Sequence, residues 1–158
     1  MDRKVFKLKH ICGQGLTLIE LVFMMAIVAV VSAIAVISYS GYTVASKNSK
    51  AIEQITVMSI SIDDFLVDYG RFPDSLNEVG LDSLEDPWGN PYQYLNIQAN
   101  PGNGGVRKDH NLVPLNSDYD LYSMGPDGSS VSPLTAAASR DDIVRANDGR
   151  FVGLATDY

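Results

Sequence analysis

The chain has 158 residues, the size of one globular domain, with 46% hydrophobic residues and a net charge of −7. Its first fifteen residues set Arg3, Lys4, Lys7 and Lys9 against Asp2; that tip contributes +3, so the remainder carries −10. An acidic body behind a basic tip lacks the basic face of a nucleic-acid-binding domain, the single cysteine, Cys12, excludes an intramolecular disulfide, and two histidines leave little for imidazole catalysis or a zinc site.

Residues 16 to 37 form a run of 22 in which only Thr17, Glu20 and Ser32 are polar. Roughly 20 apolar residues cross a bilayer. The run therefore predicts a membrane helix, with its N-terminus cytoplasmic because four basic residues precede it while Lys47 and Lys50 follow. A secretory signal peptide has the same basic-then-apolar layout. Ala33-Ile34-Ala35 offers a small-x-small cleavage site that would release residues 36 to 158 as an exported protein.

Glu20 argues against that alternative. A charge at the centre of a spanning helix costs about 2.5–3.5 kcal/mol, and less near its end. No Lys, Arg or His lies between Leu16 and Lys47 to pair with it. A cut between Gly15 and Leu16 would create the missing cation, an α-ammonium with a pKa of about 7.7–8.0, four residues before Glu20. Pairing of that amine with Glu20, within a chain or between neighbours, supplies a contact that repeats without closure. That is the logic of a filament.

Beyond the apolar run, Val44, Ile52, Ile55, Met58, Ile62, Phe65 and Tyr69 recur mostly every three or four residues. The spacing predicts an amphipathic helix continuing the first one and ending near Gly70. Unbroken from Leu16 to Tyr69, it would extend about 80 Å, with Gly41 as a flex point. Asp63, Asp64 and Asp68 fall on its solvated face, with no cleft partner for acid–base work.

Arg71 to Ser75 reads as a loop and Ser75 to Val79 as a short helix. In Asp86-Pro87-Trp88-Gly89-Asn90-Pro91-Tyr92 the prolines and glycine make a rigid turn. It leads into a strand with Tyr92 and Tyr94 on one face, and Trp88 reads as a plug of the core. Asn100 to Gly105 is a turn and Tyr119 to Ser123 a second strand. An antiparallel sheet packed on the helix makes an α+β head. His110 has no Cys or Asp constellation and no phosphate-binding glycine loop exists, which leaves an enzyme reading without support.

Gly15-Leu16-Thr17-Leu18-Ile19-Glu20, behind a short leader and ahead of a long apolar helix, resembles the processing motif of type IV pilins and type II secretion pseudopilins. In that family a prepilin peptidase cuts after the glycine and methylates the new N-terminus, with which the glutamate pairs during assembly. The resemblance implies a leader over 1–15, a transmembrane and assembly helix over 16–39, an amphipathic helix over 40–70 and a globular head with a C-terminal loop region over 71–158. Leu16 stands where phenylalanine is usual; Ala29 and Ile37 stand where helix-weakening glycine and proline are frequent, so interior hydrogen bonds need not break.

The head motifs Asp-Pro-Trp-Gly-Asn-Pro-Tyr and Tyr-Asp-Leu-Tyr-Ser-Met-Gly-Pro-Asp-Gly are similar to those of the major pseudopilins of type II secretion. There a calcium ion staples the loop after the second motif. The matching positions are the Met124 carbonyl, Asp127, Asp141 or Asp142, and the Val144 carbonyl, although the loop from Gly128 to Arg140 is longer than the family's usual one. Calcium takes roughly six to eight oxygen ligands. Beside this stands the plainer reading of Asp127-Gly128 as a turn and Asp141-Asp142 as a helix start.

The resemblance thus implies a non-enzymatic subunit of the inner membrane, its head in the periplasm. It would polymerise with itself into a short pseudopilus that pushes folded substrates outward. Its partners would be the prepilin peptidase, minor pseudopilins and the inner-membrane assembly platform, with no nucleic acid and no cofactor besides calcium. A type IV pilus for adhesion or motility uses the same physics, but many pilins close their C-terminal region with a disulfide, which Cys12 alone cannot form. A third reading is a membrane-tethered or signal-cleaved protein whose head captures calcium or another ligand.

Overall fold

The computed structural model describes residues 15–102 and 104–158, without the side chains of 35–38 and 40. The rest of the segment expected as a leader, including His10 and Cys12, lies outside the described residues. Helix α1 runs over Leu18–Tyr69. Thr17 starts it: its Oγ1 accepts the Glu20 N–H at 3.3 Å and its carbonyl accepts the Leu21 N–H at 3.1 Å. Thr-Leu-Ile-Glu is therefore also a capping sequence, with an acid in the first turn where the helix dipole favours one. Gly70 ends the helix in a left-handed conformation (φ 70°), its N–H on the Leu66 carbonyl at 2.8 Å.

The chain divides after Gly41, and Tyr42–Tyr158 forms the second unit. In the first unit every described side chain from Leu16 to Ile34 is exposed. Among the described residues no helix is long and apolar enough to cross a membrane. The spanning segment expected over 16–39 is thus not shown: the described apolar side chains stop at Ile34, short of the Ile37 end of the run.

In the second unit four strands, β1 (Gln93–Asn96), β2 (Tyr119–Ser123), β3 (Ile143–Ala146) and β4 (Phe151–Leu154), make an antiparallel sheet in chain order. Gln93 pairs with Tyr122, Tyr122 with Val144, and Ile143 with Leu154. Alternation along the strands gives the sheet two buried faces. One face packs Tyr119, Leu121 and Ile143 against Ala51, Ile55, Met58 and Ile62 of α1, and Phe72, Leu76 and Tyr92 close the same core. The other gathers Val144 and Ala146 with Leu115, Leu134 and Ala155, and is covered by the segments on either side of β2. The expected α+β head is therefore present, with its sheet covered by a helix on one side and by loops on the other.

Details differ from the sequence pattern. The buried stripe of α1 begins at Ala51, while Val44 and Tyr69 at its expected ends are 56% and 68% exposed. Tyr69 instead stacks on Phe65, their ring centroids 4.4 Å apart. Trp88 is half-buried at the rim of the core with the Lys47 ammonium 5.9 Å from its ring centroid, so it edges the core rather than plugging it. The short helix after Ser75 is a single 3-10 turn, Leu76–Val79.

The hairpin β3–β4 was not foreseen, and Asp141-Asp142 leads into a strand where a helix start was the alternative. Its turn places Asn147, Asp148 and Gly149 at φ 53°, 54° and 83°, which Asn, Asp and Gly tolerate best. Asp148 ties that turn to the entry of β2, its carboxylate accepting the Ser117 N–H at 2.7 Å and the Ser117 hydroxyl at 2.9 Å. Arg145 holds the next residue, donating to both Asp118 oxygens at 2.8 and 2.6 Å, with its guanidinium carbon 3.9 Å from the Tyr119 ring.

Met58→Ala should destabilise the protein by about 2–5 kcal/mol, the cost of a fully buried large-to-small change. Val57→Ala, one residue away and 55% exposed, should stay within roughly 0.5 kcal/mol. Urea unfolding of the two variants measures both. A second outcome concerns pH. The Ser117 N–H bond holds the Asp148 carboxyl below the usual carboxylate range. A group depressed in the folded state contributes stability above its unfolded pKa, about 3.9, and loses it as pH falls through the folded value. Asp148→Asn, which keeps a residue that tolerates positive φ, should therefore be less stable than the parent at neutral pH, with the gap closing in unfolding curves as the pH is lowered through the folded-state value.

Candidate functional site

Two regions carry the residues singled out in the sequence. The first is the start of α1. Leu16 is 63% exposed, Thr17 caps the helix, and Glu20 stands exposed one turn in. Capping uses the backbone N–H of Glu20 and leaves its carboxylate out of the cap. Among the described residues that carboxylate enters no ion pair. The geometry thus presents one acid on an exposed apolar helix, chemically able to accept a cation from outside its own described surroundings.

The second region is where the two head motifs meet. Asp86 is 5% exposed; its Oδ1 accepts the N–H groups of Trp88 and Asn90 at 2.9 and 2.8 Å, forming the rigid turn. Its Oδ2 accepts the Ser123 hydroxyl at 2.5 Å, and Ser123 Oγ in turn accepts the Gly125 N–H at 3.1 Å. Asn90 completes the link by donating to the Gly125 carbonyl at 2.8 Å. The motif ending at Tyr92 and the one beginning at Tyr119 are therefore one structure: the acid and amide of the first satisfy the loop that leaves β2 in the second.

Gly125 is required there. It sits at φ 63°, and a Cβ on it would lie 2.3 Å from the Asp141 carbonyl oxygen. The loop that leaves β2 and the chain that enters β3 touch directly at this point. Asp127 and Asp141 line one shallow cleft near Asn48 and Arg140. Asp127 Oδ1 is engaged by the Ser129 N–H at 2.7 Å, closing an Asx turn.

Asp142 lies apart from that cleft's chemistry. Fully buried, its Oδ2 accepts Arg107 Nη2 at 2.6 Å and the Ser130 hydroxyl at 2.6 Å. Val144 is buried in β3 and paired on both sides, with Tyr122 and Gly153. Among the described residues no group of three or more His, Cys, Asp and Glu side chains is placed to hold a metal ion. Of the expected calcium positions Met124, Asp127, Asp141, Asp142 and Val144, Asp127 and Asp141 share the cleft, while Asp142 has a buried Oδ1 with no hydrogen-bond partner among the described residues and an Oδ2 held by a cationic partner.

That partner was missed in the sequence. Arg107 is 2% exposed, and it also donates through Nη1 to Ser130 Oγ at 2.5 Å and the Val131 carbonyl at 2.7 Å. Its backbone N–H reaches Asp120 Oδ2 at 2.6 Å. Burial raises the Asp120 carboxyl above its ordinary range, against the pull of this N–H and the Asn116 amide. His110 Nδ1 lies 2.9 Å from the carboxylate oxygens of its neighbour Asp109 on an exposed turn, where the pair faces no described nucleophile.

Gly125→Ala should cost at least about 2 kcal/mol, because positive φ and the Asp141 carbonyl both oppose a side chain. Gly80→Ala, also at positive φ but with nothing within 4 Å, should cost about 1 kcal/mol. Urea unfolding of the two variants separates the contact from the backbone strain.

No family model matches the chain, and no solved structure matches it. Two curated relatives do. Type II secretion system core protein G of Aeromonas hydrophila is 27% identical over 152 residues, covering 82% of this chain and 89% of the relative. The protein of the same name from Pectobacterium carotovorum subsp. carotovorum is 26% identical over 138 residues, covering 73% and 77%. The resemblance to the type IV pilin and type II secretion pseudopilin family, carried by Gly15 to Glu20 and by the two head motifs, is thereby borne out, and the chain is related over most of its length to type II secretion system core protein G.

Proposed function

We propose that the chain is a structural, non-enzymatic subunit that polymerises into a type II secretion pseudopilus and supports protein export across the outer membrane. The observation that carries this reading is the exposed apolar start of α1 with Glu20 one turn from its cap, on a chain related to type II secretion system core protein G. An apolar helix with no described cover is unstable in water and is stabilised by lipid or by copies of itself.

The subunit waits in the inner membrane with its N-terminus cytoplasmic and its acidic head in the periplasm. A prepilin peptidase removes residues 1–15, exposing and methylating the Leu16 amine. That ammonium pairs with Glu20 of its own or a neighbouring chain as the helices pack into the filament core, with minor pseudopilins and the inner-membrane platform as partners. Desolvation makes the pairing matter: a carboxylate entering an apolar core without a counterion is strongly disfavoured. A type IV pilus built the same way differs in the machine it belongs to, and the core protein G relatives favour the secretion system.

Mass spectrometry of the protein recovered from membranes tests the processing step. The expected species begins at methylated Leu16; one beginning after Ala35 would support a secreted ligand-binding protein instead. Glu20→Ala should insert at least as well as the parent, yet filament yield in a shearing and pelleting assay should drop at least about tenfold, the equivalent of roughly 1.4 kcal/mol. Normal yield would remove the charge-pairing step from the mechanism.

A further inference from the structure

We infer that Lys47 and Lys50, in the first turns of the head's part of α1, form a cationic clamp for the phosphate groups of an anionic lipid surface. The inference rests on the membrane anchoring in the proposed function and adds a contact that holds the head against that membrane.

Charge along the helix carries it. Between Glu20 and Glu53 the chain has no acid, and Lys47 and Lys50 are the first basic residues after the apolar run. The stretch 42–52 therefore carries +2 at the front of a head that is otherwise acidic. Three positions apart on a helix, the two lysines are neighbours on its surface. Both are exposed, and among the described residues neither enters an ion pair, whereas Arg71, Arg107 and Arg145 are matched to Glu78, Asp142 and Asp118.

Their position suits a headgroup layer. The second unit opens at Tyr42, whose side chain is exposed, as is that of Tyr39 before it. Tyrosines concentrate at the boundary between lipid and water. Along α1, Lys47 stands about 8 Å and Lys50 about 12 Å beyond Tyr42. Long lysine stems reach back toward such a boundary, and the surface potential extends about 8 Å at physiological ionic strength. Both ammonium groups thus come within the field of the phosphates. The Lys47 Nζ also lies 5.9 Å from the centroid of the Trp88 ring, which backs it on the head side.

Exposed acids of a second copy, such as Asp64 and Asp68, also complement two lysines. The tyrosines ahead of the lysines favour lipid, because exposed aromatic rings suit an interfacial layer and not a carboxylate. An anionic surface repels the acidic remainder of the head, so the clamp sets which end of the head faces the lipid.

Trp88, the chain's one tryptophan, reports on this contact without an introduced label. The full-length protein is reconstituted into vesicles of phosphatidylcholine alone, or of phosphatidylcholine mixed equally with phosphatidylglycerol, each with a trace of headgroup-dansylated lipid. Energy transfer from Trp88 to dansyl is measured against a sample without acceptor. Transfer should be higher in the mixed vesicles, and the excess should vanish at about 1 M salt, where the Debye length falls to about 3 Å. Lys47→Gln with Lys50→Gln should abolish the excess, and Lys47→Arg with Lys50→Arg should keep it. Equal transfer in the two vesicles, or an excess that survives the Gln pair, would overturn the inference while leaving the filament reading intact. An excess that disappears when copies per vesicle are diluted would assign the lysines to a second copy instead. A chain that floats with neither vesicle would remove the membrane step of the proposed function, and this inference with it.

Discussion

The head depends on burying both faces of a very small sheet. Four strands of four or five residues cannot hold together through their own ladders. The α1 stripe Ala51, Ile55, Met58 and Ile62 covers one side with aliphatic bulk. Among the described residues the other side has no second α-helix, and the segments that connect the strands cover it. Backbone and side-chain polar groups must then be satisfied inside the layer they form. Two buried polar contacts answer that demand: Arg107 beneath the middle of the loop, and Asn116 at the far end of the sheet, where its amide donates to Asp120 and to the Arg145 carbonyl.

The two arginines show how one residue type solves two different problems. Arg145 lies on the α1 side of the sheet, where it stacks on Tyr119 and forks onto Asp118 at the sheet's end. Arg107 lies on the loop side and gathers acceptors from 130, 131 and 142 around one plane. Each pairs a carboxylate with a cation, whereas the buried Asp86 and Asp120 are held by hydrogen bonds.

The helix and β2 were legible because their signals are local. Ile55, Met58 and Ile62 repeat on one face of α1, and Tyr119 to Ser123 reads as a short aromatic strand with the observed limits. The Gly15 to Glu20 string that carries the family resemblance is local in the same way, a contiguous run beside an apolar segment. The hairpin β3–β4 had a signal too, Asn147-Asp148-Gly149 between Ile143–Ala146 and Phe151–Leu154. Asp141 and Asp142 just before it also fit a ligand pair or a helix start, which masks the strand. Arg107 had no such signal. Its partner Asp142 lies 35 positions along the chain, and only folding brings a loop arginine under a strand-entry aspartate.

The capping of α1 at Thr17 has a geometric corollary. Since the helical ladder opens at Leu18, only Leu16 and Thr17 separate it from the proposed scission point. An amine released there hangs on a two-residue leash with a reach of about 7 Å. Such a short tether would keep the terminus sweeping a small volume beside the first turn, so that the freed group searches locally for its anion.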